Sequence, residues 1–299
     1  MKTLILISLL PLFLISYGPT KKPKISEKEI KEVPFDTSSQ TSERKSKRLD
    51  SIIVSDLDSA IASPEKVIHL IIYPFLDKSN THKYGDLKHL PSQIGTLHNL
   101  KTLEIHCMEN LEDLPIEIGQ LVNLEKIDIN NGNGCQMNIS IPPSIGRLQQ
   151  LKELNLYGAL DPRDISKQAS VTPSKIKRLP QEIGNLSNLE ILDLGRNGIQ
   201  EIPIQIQTLI NLKILKLDFN DIHEIPSFIS KLKNLKELHM CENGKMKLPD
   251  SLSEFNGLKL YLGNACLSLK DQKELKTRFP RIEFNFDDDY MDGIANEHQ

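Results

Sequence analysis

The chain has 299 residues, 38% of them hydrophobic and 26% charged, with a formal net charge of -3. A balance so near neutrality lacks the excess of Lys and Arg on which phosphate binding rests, so nucleic acid is not an expected partner. Trp is absent and aromatic residues make up only 5%, so stacking platforms for bases or sugars are scarce.

The N-terminus opens with Met1-Lys2-Thr3, continues through an apolar run from Leu4 to Ile15, and ends in Ser16-Tyr17-Gly18. A short basic start, an apolar middle and small residues after it have the pattern of a secretory signal peptide. The run is too short for a membrane span, which takes about 20 apolar residues. Residues 1–18 are therefore expected to be a signal peptide, leaving no stable membrane span after processing. The protein is expected to be secreted, or to reside in the periplasm or cell envelope. Retention in the cytoplasm would follow if the apolar run were not processed. Residues 19–48 are polar and Lys-rich, with too little apolar surface to offset ordering entropy, and read as a flexible linker.

The domain is expected over 49–286. It begins with Leu49, Ile52, Ile53, Leu57, Ala60 and Ile61 at near-helical spacing ahead of Pro64, which predicts an amphipathic capping helix. A repeat follows. Anchor prolines fall at 91, 115, 142, 180, 203, 226 and 249, and eight to ten residues after each of the first six comes a strand-like line: LKTLEI, LEKIDI, LKELNL, LEILDL, LKILKL and LKELHM. Asn or Gln precedes every line (Asn99, Asn123, Gln150, Asn188, Asn211, Asn234), and VIHLII at 67–72 reads as an earlier copy. One coil cannot bury its own Leu and Ile, but stacked coils share a continuous core. Asn197, Asn220 and Asn243 recur at one phase, where a buried amide can bond backbone groups of neighbouring coils; they are assigned structural roles. Downstream, a helix around 268–278, a break at Pro280 and an edge strand at 282–286 predict the closing cap. Residues 287–299 form an acidic tail, expected to be disordered. Its Asp287-Asp288-Asp289 run lacks the spaced ligands and closing Glu of a calcium loop.

The combined pattern, L-x-x-L-x-L-x-x-N joined to L-P-x-x-I-G-x-L-x-N, resembles the leucine-rich repeat family. The likeness is to the 23-residue class typified by Ras-binding proteins, plant intracellular Ras-group proteins and many bacterial proteins. The resemblance implies an α/β solenoid, or horseshoe. A parallel concave sheet lines it, with short helical or 3-10 convex segments opposite, an N-terminal capping helix and a C-terminal helix–strand cap. It also offers the alternative of an intracellular signalling scaffold of the Ras-binding type.

Enzymatic signatures are missing: there is no G-x-S-x-G, H-E-x-x-H, C-x-x-C, P-loop or G-x-G-x-x-G. The expectation is a non-enzymatic protein without cofactor or metal. The cysteines are Cys107, Cys135, Cys241 and Cys266. An even count in an exported protein allows disulfides with three connectivities. Pairs Cys107–Cys135 and Cys241–Cys266 would each join adjacent coils, but neither pair shares a repeat phase, so free thiols in loops and strand ends are expected.

Numbering each strand line from one to nine, the third, fifth and seventh side chains face the concave side. The fifth and seventh rows supply His106, Asp128, Asn130, Asn155, Tyr157, Asp193, Lys216 and His239 as candidate partner contacts, with Phe219 at the rim. The spacing from the sixth strand position to the next anchor proline is nine in the last three repeats and 19, 10, 13 and 24 in the first four. Every excess follows a strand, so all project from one edge, often the binding face of a solenoid. The longest, 158–174, adds Asp161 and Arg163 as candidates. The expected partner is a protein, or else a surface glycan.

Overall fold

A computed structural model describes residues 52–54, 56–76, 82–130, 137–160, 179–263 and 267–287, all within the unit Leu49–Gln299. The expected signal peptide, the linker, most of the 158–174 insertion and the tail beyond Asp287 lie outside the described residues.

The strands along the chain are Ile52–Val54 (β1), Val67–Ile72 (β2), the short pair Phe75–Leu76 (β3) and His82–Lys83 (β4), Thr102–His106 (β5), Lys126–Asn130 (β6), Glu153–Asn155 (β7), Ile191–Asp193 (β8), Ile214–Lys216 (β9), Glu237–His239 (β10), Lys259–Tyr261 (β11) and Glu283–Asn285 (β12). All but β3 and β4 form one 10-stranded sheet whose spatial order is the chain order. Every pairing in it is parallel, and like positions meet like: Glu104, Asp128, Asn155, Asp193, Lys216 and His239 stand in one row. This is a leucine-rich-repeat solenoid, as the repeat implied.

The register follows from what each coil buries. Leu189, Leu192 and Leu194 of β8 and its flank are fully buried with Ile183 and Leu186 from the opposite side of the coil, each contributing roughly 1.5–3 kcal/mol. Short 3-10 turns form that opposite side, among them Pro143–Arg147 and Gln181–Asn185. Each anchor proline stands one residue ahead of its turn in extended backbone, and Pro180 O accepts the first turn bond from Ile183 N at 3.1 Å. Adjacent turns approach closely enough to exclude a side chain. A Cβ on Gly146 would lie 2.6 Å from the Glu182 carbonyl oxygen. Because that obstacle is backbone, Gly146→Ala is expected to destabilise the protein by about 1–3 kcal/mol, the usual cost of overpacking, read as a lower urea midpoint.

Asparagines stitch the coils. Asn220 Oδ1 accepts from Asn197 N at 3.0 Å and Ile199 N at 2.9 Å, while its Nδ2 donates to Leu194 O at 3.1 Å and Leu217 O at 2.9 Å. Asn243 repeats this one coil on, accepting from Ile222 N at 3.0 Å and donating to Leu217 O at 2.8 Å. Asn197 accepts from Leu160 N at 2.9 Å, which holds the root of the longest insertion.

The N-terminal cap differs from expectation. Only Leu57–Ala62 is helical (α1); Ile52–Val54 is instead the first strand, pairing Ile53 with His69 and Val54 with Leu70. β-branched residues favour a strand, and β2 would otherwise leave its edge unpaired. The first insertion has a part in this cap. Tyr84, at φ 67, donates its hydroxyl to Asp56 Oδ1 at 2.6 Å and accepts from Leu57 N at 3.1 Å, holding the start of α1. At the other end, Leu269–Arg278 (α2) carries a capping box between Ser268 and Asp271, and β12 closes the sheet.

Candidate functional site

In each strand the fourth and sixth side chains, such as Leu103 and Ile105, enter the core, and the third, fifth and seventh point outward. The outward face is polar, yet its fifth and seventh rows are packed so tightly along the stack that many of its side chains are buried. Asn130, Asn155, Asp193 and His239, all candidates for partner contact, expose 7% or less of their surface. Sequence alternation gives the direction of a side chain and says nothing of what lies over it.

Their burial requires that the backbone beside them be satisfied. Asn155 Oδ1 accepts from Tyr157 N at 2.9 Å, and Asp193 Oδ1 accepts from Gly195 N at 2.9 Å. Where the fifth residue is His239, which has no carboxyl or amide oxygen, the seventh N–H is served from the preceding coil: Asp218 Oδ1 accepts from Cys241 N at 2.7 Å. Asp218 is only 2% exposed. Burial pushes its carboxyl up to about 7, the Asp193 charge adds to the rise, and the Cys241 amide and Lys216 oppose it. Burial, with Asp218 beside it, pushes the Cys241 thiol up to about 12, so it stays protonated and is a poor nucleophile. His239 is stacked on Tyr261 with ring centroids 4.2 Å apart, its Nε2 lying 3.3 Å from Glu237. Tyr157 lies across Gly195, where a Cβ would come within 2.7 Å of its ring. Its hydroxyl is raised by burial against the opposing pull of Arg196.

Of the other candidates, His106, Asp128, Lys216 and Phe219 keep accessible surface, and Asp161 and Arg163 lie outside the described residues. His106 Nε2 is 3.4 Å from Glu104, and Lys216 Nζ is 4.0 Å from Asp193. The accessible row missed by the choice of candidates is the third: Lys126, Glu153, Ile191, Ile214 and Glu237. The alternation that marked rows five and seven marked this one too. Lys126 is 2.8 Å from Glu153 and 3.7 Å from Asp128. Burial pulls its ammonium down, but Glu153, Asp128 and Glu104 outweigh that and hold it above its ordinary value. Beside these charges Ile191 and Ile214 are direct partners on neighbouring strands, both half-buried on the outward face.

In five of the lines the eighth residue turns the chain out of the sheet. Cys107, Gly158, Arg196, Phe219 and Glu242 all have positive φ, between 52 and 64. Gly158, Arg196 and Phe219 donate their N–H to the seventh carbonyl of the next coil at 2.8–2.9 Å. Cys107 is disulfide-bonded, against the expectation of free thiols, whereas Cys241 is free and buried. Cys135 and Cys266 lie outside the described residues. Repeat phase constrains only cysteines on the regular coil, and inserted segments are not bound to it. Among the described residues no group of three or more His, Cys, Asp or Glu could hold a metal ion, and no helix is long and apolar enough to cross a membrane.

The family described as a leucine-rich repeat region matches residues 169–272. No curated protein matches the chain. Similar solved structures include the plant peptide hormone receptor RGFR1 in complex with RGF2, 24% identical with a TM-score of 0.42 over 58% of this chain and 26% of that one. The Arabidopsis receptor kinase HAESA, in complex with the peptide hormone IDA and the co-receptor SERK1, is 23% identical with a TM-score of 0.40, over 58% and 32%. An internalin from Listeria monocytogenes is 16% identical with a TM-score of 0.37, over 65% and 57%. This chain thus spans less than a third of each plant receptor chain.

Proposed function

We propose that this leucine-rich-repeat solenoid is a non-enzymatic, exported binding module that engages a protein partner through the outward face of its sheet. The observation that carries the reading is the Ile191–Ile214 pair, set among Glu153, Lys216 and Glu237 on a face whose third row is otherwise mostly polar or charged. An apolar centre within a polar rim is the usual anatomy of a protein-binding hot spot. Export is supported by the Leu4–Ile15 run and by the Cys107 disulfide, since such bonds persist in oxidising compartments. Asp161 and Arg163, in the insertion that follows β7 in the sequence, are proposed as further contacts.

Replacing both isoleucines by Glu tests the face. Partner capture from extracellular or envelope material is expected to fall at least tenfold, equivalent to about 1.4 kcal/mol, while the melting temperature holds within a few degrees. Unchanged capture would move the site elsewhere. The loop is tested separately by deleting 161–174. Gly158, Ala159 and Leu160 must stay, because all three are buried.

A further inference from the structure

At the edge of the sheet where the strands begin, a groove of about 450 Å³ crosses four consecutive coils. One wall is the row Gln150, Asn188, Asn211 and Asn234, and the other is Lys152, Glu190 and Lys213. The leucines between the two rows, Leu151, Leu189 and Leu212, are turned into the core and fully buried, so no apolar or aromatic side chain lines the groove. The asparagines are fixed in one orientation: Asn188 Nδ2 donates to Gln149 O at 2.8 Å, Asn211 Nδ2 to Ser187 O at 2.7 Å and Asn234 Nδ2 to Ile210 O at 2.8 Å. Each spends one N–H on the preceding coil and keeps its carbonyl oxygen and second N–H for other partners. The charges opposite are already matched. Lys152 Nζ lies 2.8 Å from Glu125, and Lys213 Nζ lies 2.7 Å from Glu190 and holds that carboxyl below its usual range.

These features narrow the chemistry of a ligand. An apolar one would find nothing to bury against, and a highly charged one would have to break existing ion pairs. The amides stand one coil apart, about 4.8 Å at the usual strand spacing. An extended peptide repeats its same-side groups about every 6.7 Å, so it cannot meet successive amides. A pyranose ring is about as long as one coil is deep, and its hydroxyls both donate and accept, as each amide does.

We propose that this groove binds a neutral, linear, β-linked oligosaccharide, one sugar ring to a coil, through hydrogen bonds. The assignment rests on the edge groove and does not depend on the role proposed for the Ile191–Ile214 face. Amide-resolved NMR titration of the full chain with cellotetraose and, separately, with chitotetraose tests it. Either sugar should produce saturable shifts at the side-chain amides of Gln150, Asn188, Asn211 and Asn234. Maltotetraose, whose α-linkages curl the chain, and tetraglycine should each bind more weakly by about tenfold or more. Glu190→Ala with Lys213→Ala removes one wall while leaving the asparagine bonds between coils intact. It should weaken sugar binding by a similar factor, with the rest of the amide spectrum retained. No saturable shift with either sugar, shifts confined to other surfaces, or an affinity unchanged in the variant overturns the proposal. Equal binding of tetraglycine overturns it in favour of a peptide as the occupant.

Discussion

Asn220→Ala is expected to lower the stability of the protein by about 4 kcal/mol, more than any other single truncation of a polar side chain described above. The amide serves two backbone donors, Asn197 N and Ile199 N, and two carbonyls, Leu194 O and Leu217 O, all in the buried interior. Each buried group left without a partner costs about 1–3 kcal/mol, and partial relaxation keeps the total below the simple sum. The appropriate control is Asn234→Ala. Asn234 also donates to a carbonyl of the preceding coil, Ile210 O at 2.8 Å, but in exposed surroundings where water can replace it. Its loss should cost under about 1 kcal/mol. Urea denaturation of the two variants decides the matter; equal losses would mean that the buried asparagines are not what joins the coils. Because a repeat stack is held by nearest-neighbour interfaces, Asn220→Ala should also broaden the transition, the segments on either side of β9 ceasing to melt together.

Asp218→Asn should do the reverse and stabilise the protein, in a manner that depends on pH. The folded carboxyl is pushed up to about 7 from an ordinary value of 3.8. The folded state therefore holds its proton over a range in which the unfolded chain has released it. Stability from this group is fully present below about pH 4 and is lost as pH rises through 7. A rise of that size is equivalent to roughly 4 kcal/mol, which sets the ceiling on the cost of the buried charge at pH 8. Asparagine keeps an oxygen for Cys241 N and cannot ionise. The variant should match the parent near pH 4 and exceed it by about 2–4 kcal/mol at pH 8. A difference that stays flat between these values would show that Asp218 does not carry the buried proton.

Much of the architecture was legible in the sequence because it is periodic. Leu189, Leu192 and Leu194 recur with their phase partners in coil after coil, so the strands could be placed from spacing; the 3-10 turns came from the family resemblance, and the closing cap from the helix-like stretch ahead of Pro280. The departures have in common that non-local geometry decided them. Ile52, Ile53, Leu57 and Ala60 fit a helical period, but the first two positions gain more by pairing with β2. The outward rows were correctly oriented, but the burial of Asn130, Asn155, Asp193 and His239 within them was not legible. Tyr157 covers Gly195 although 38 positions separate them, and no local pattern announces a ring lying over the next strand. Asp218 looks like any solvated carboxylate until His239, one coil on, is seen to lack an oxygen for the Cys241 amide.

The root of the long insertion has a consequence for how such a protein can change. Leu160 N is held by Asn197, Ala159 O receives Ile139 N at 2.9 Å, and the next coil resumes at Pro180 with its own turn bond. The junctions on both sides are fixed by bonds that never consult the sequence between them. Closure entropy rises only slowly with loop length. The coil therefore works as a socket: stretches of different length and composition can be exchanged at this point, by natural variation or by grafting, without renegotiating the stack beneath.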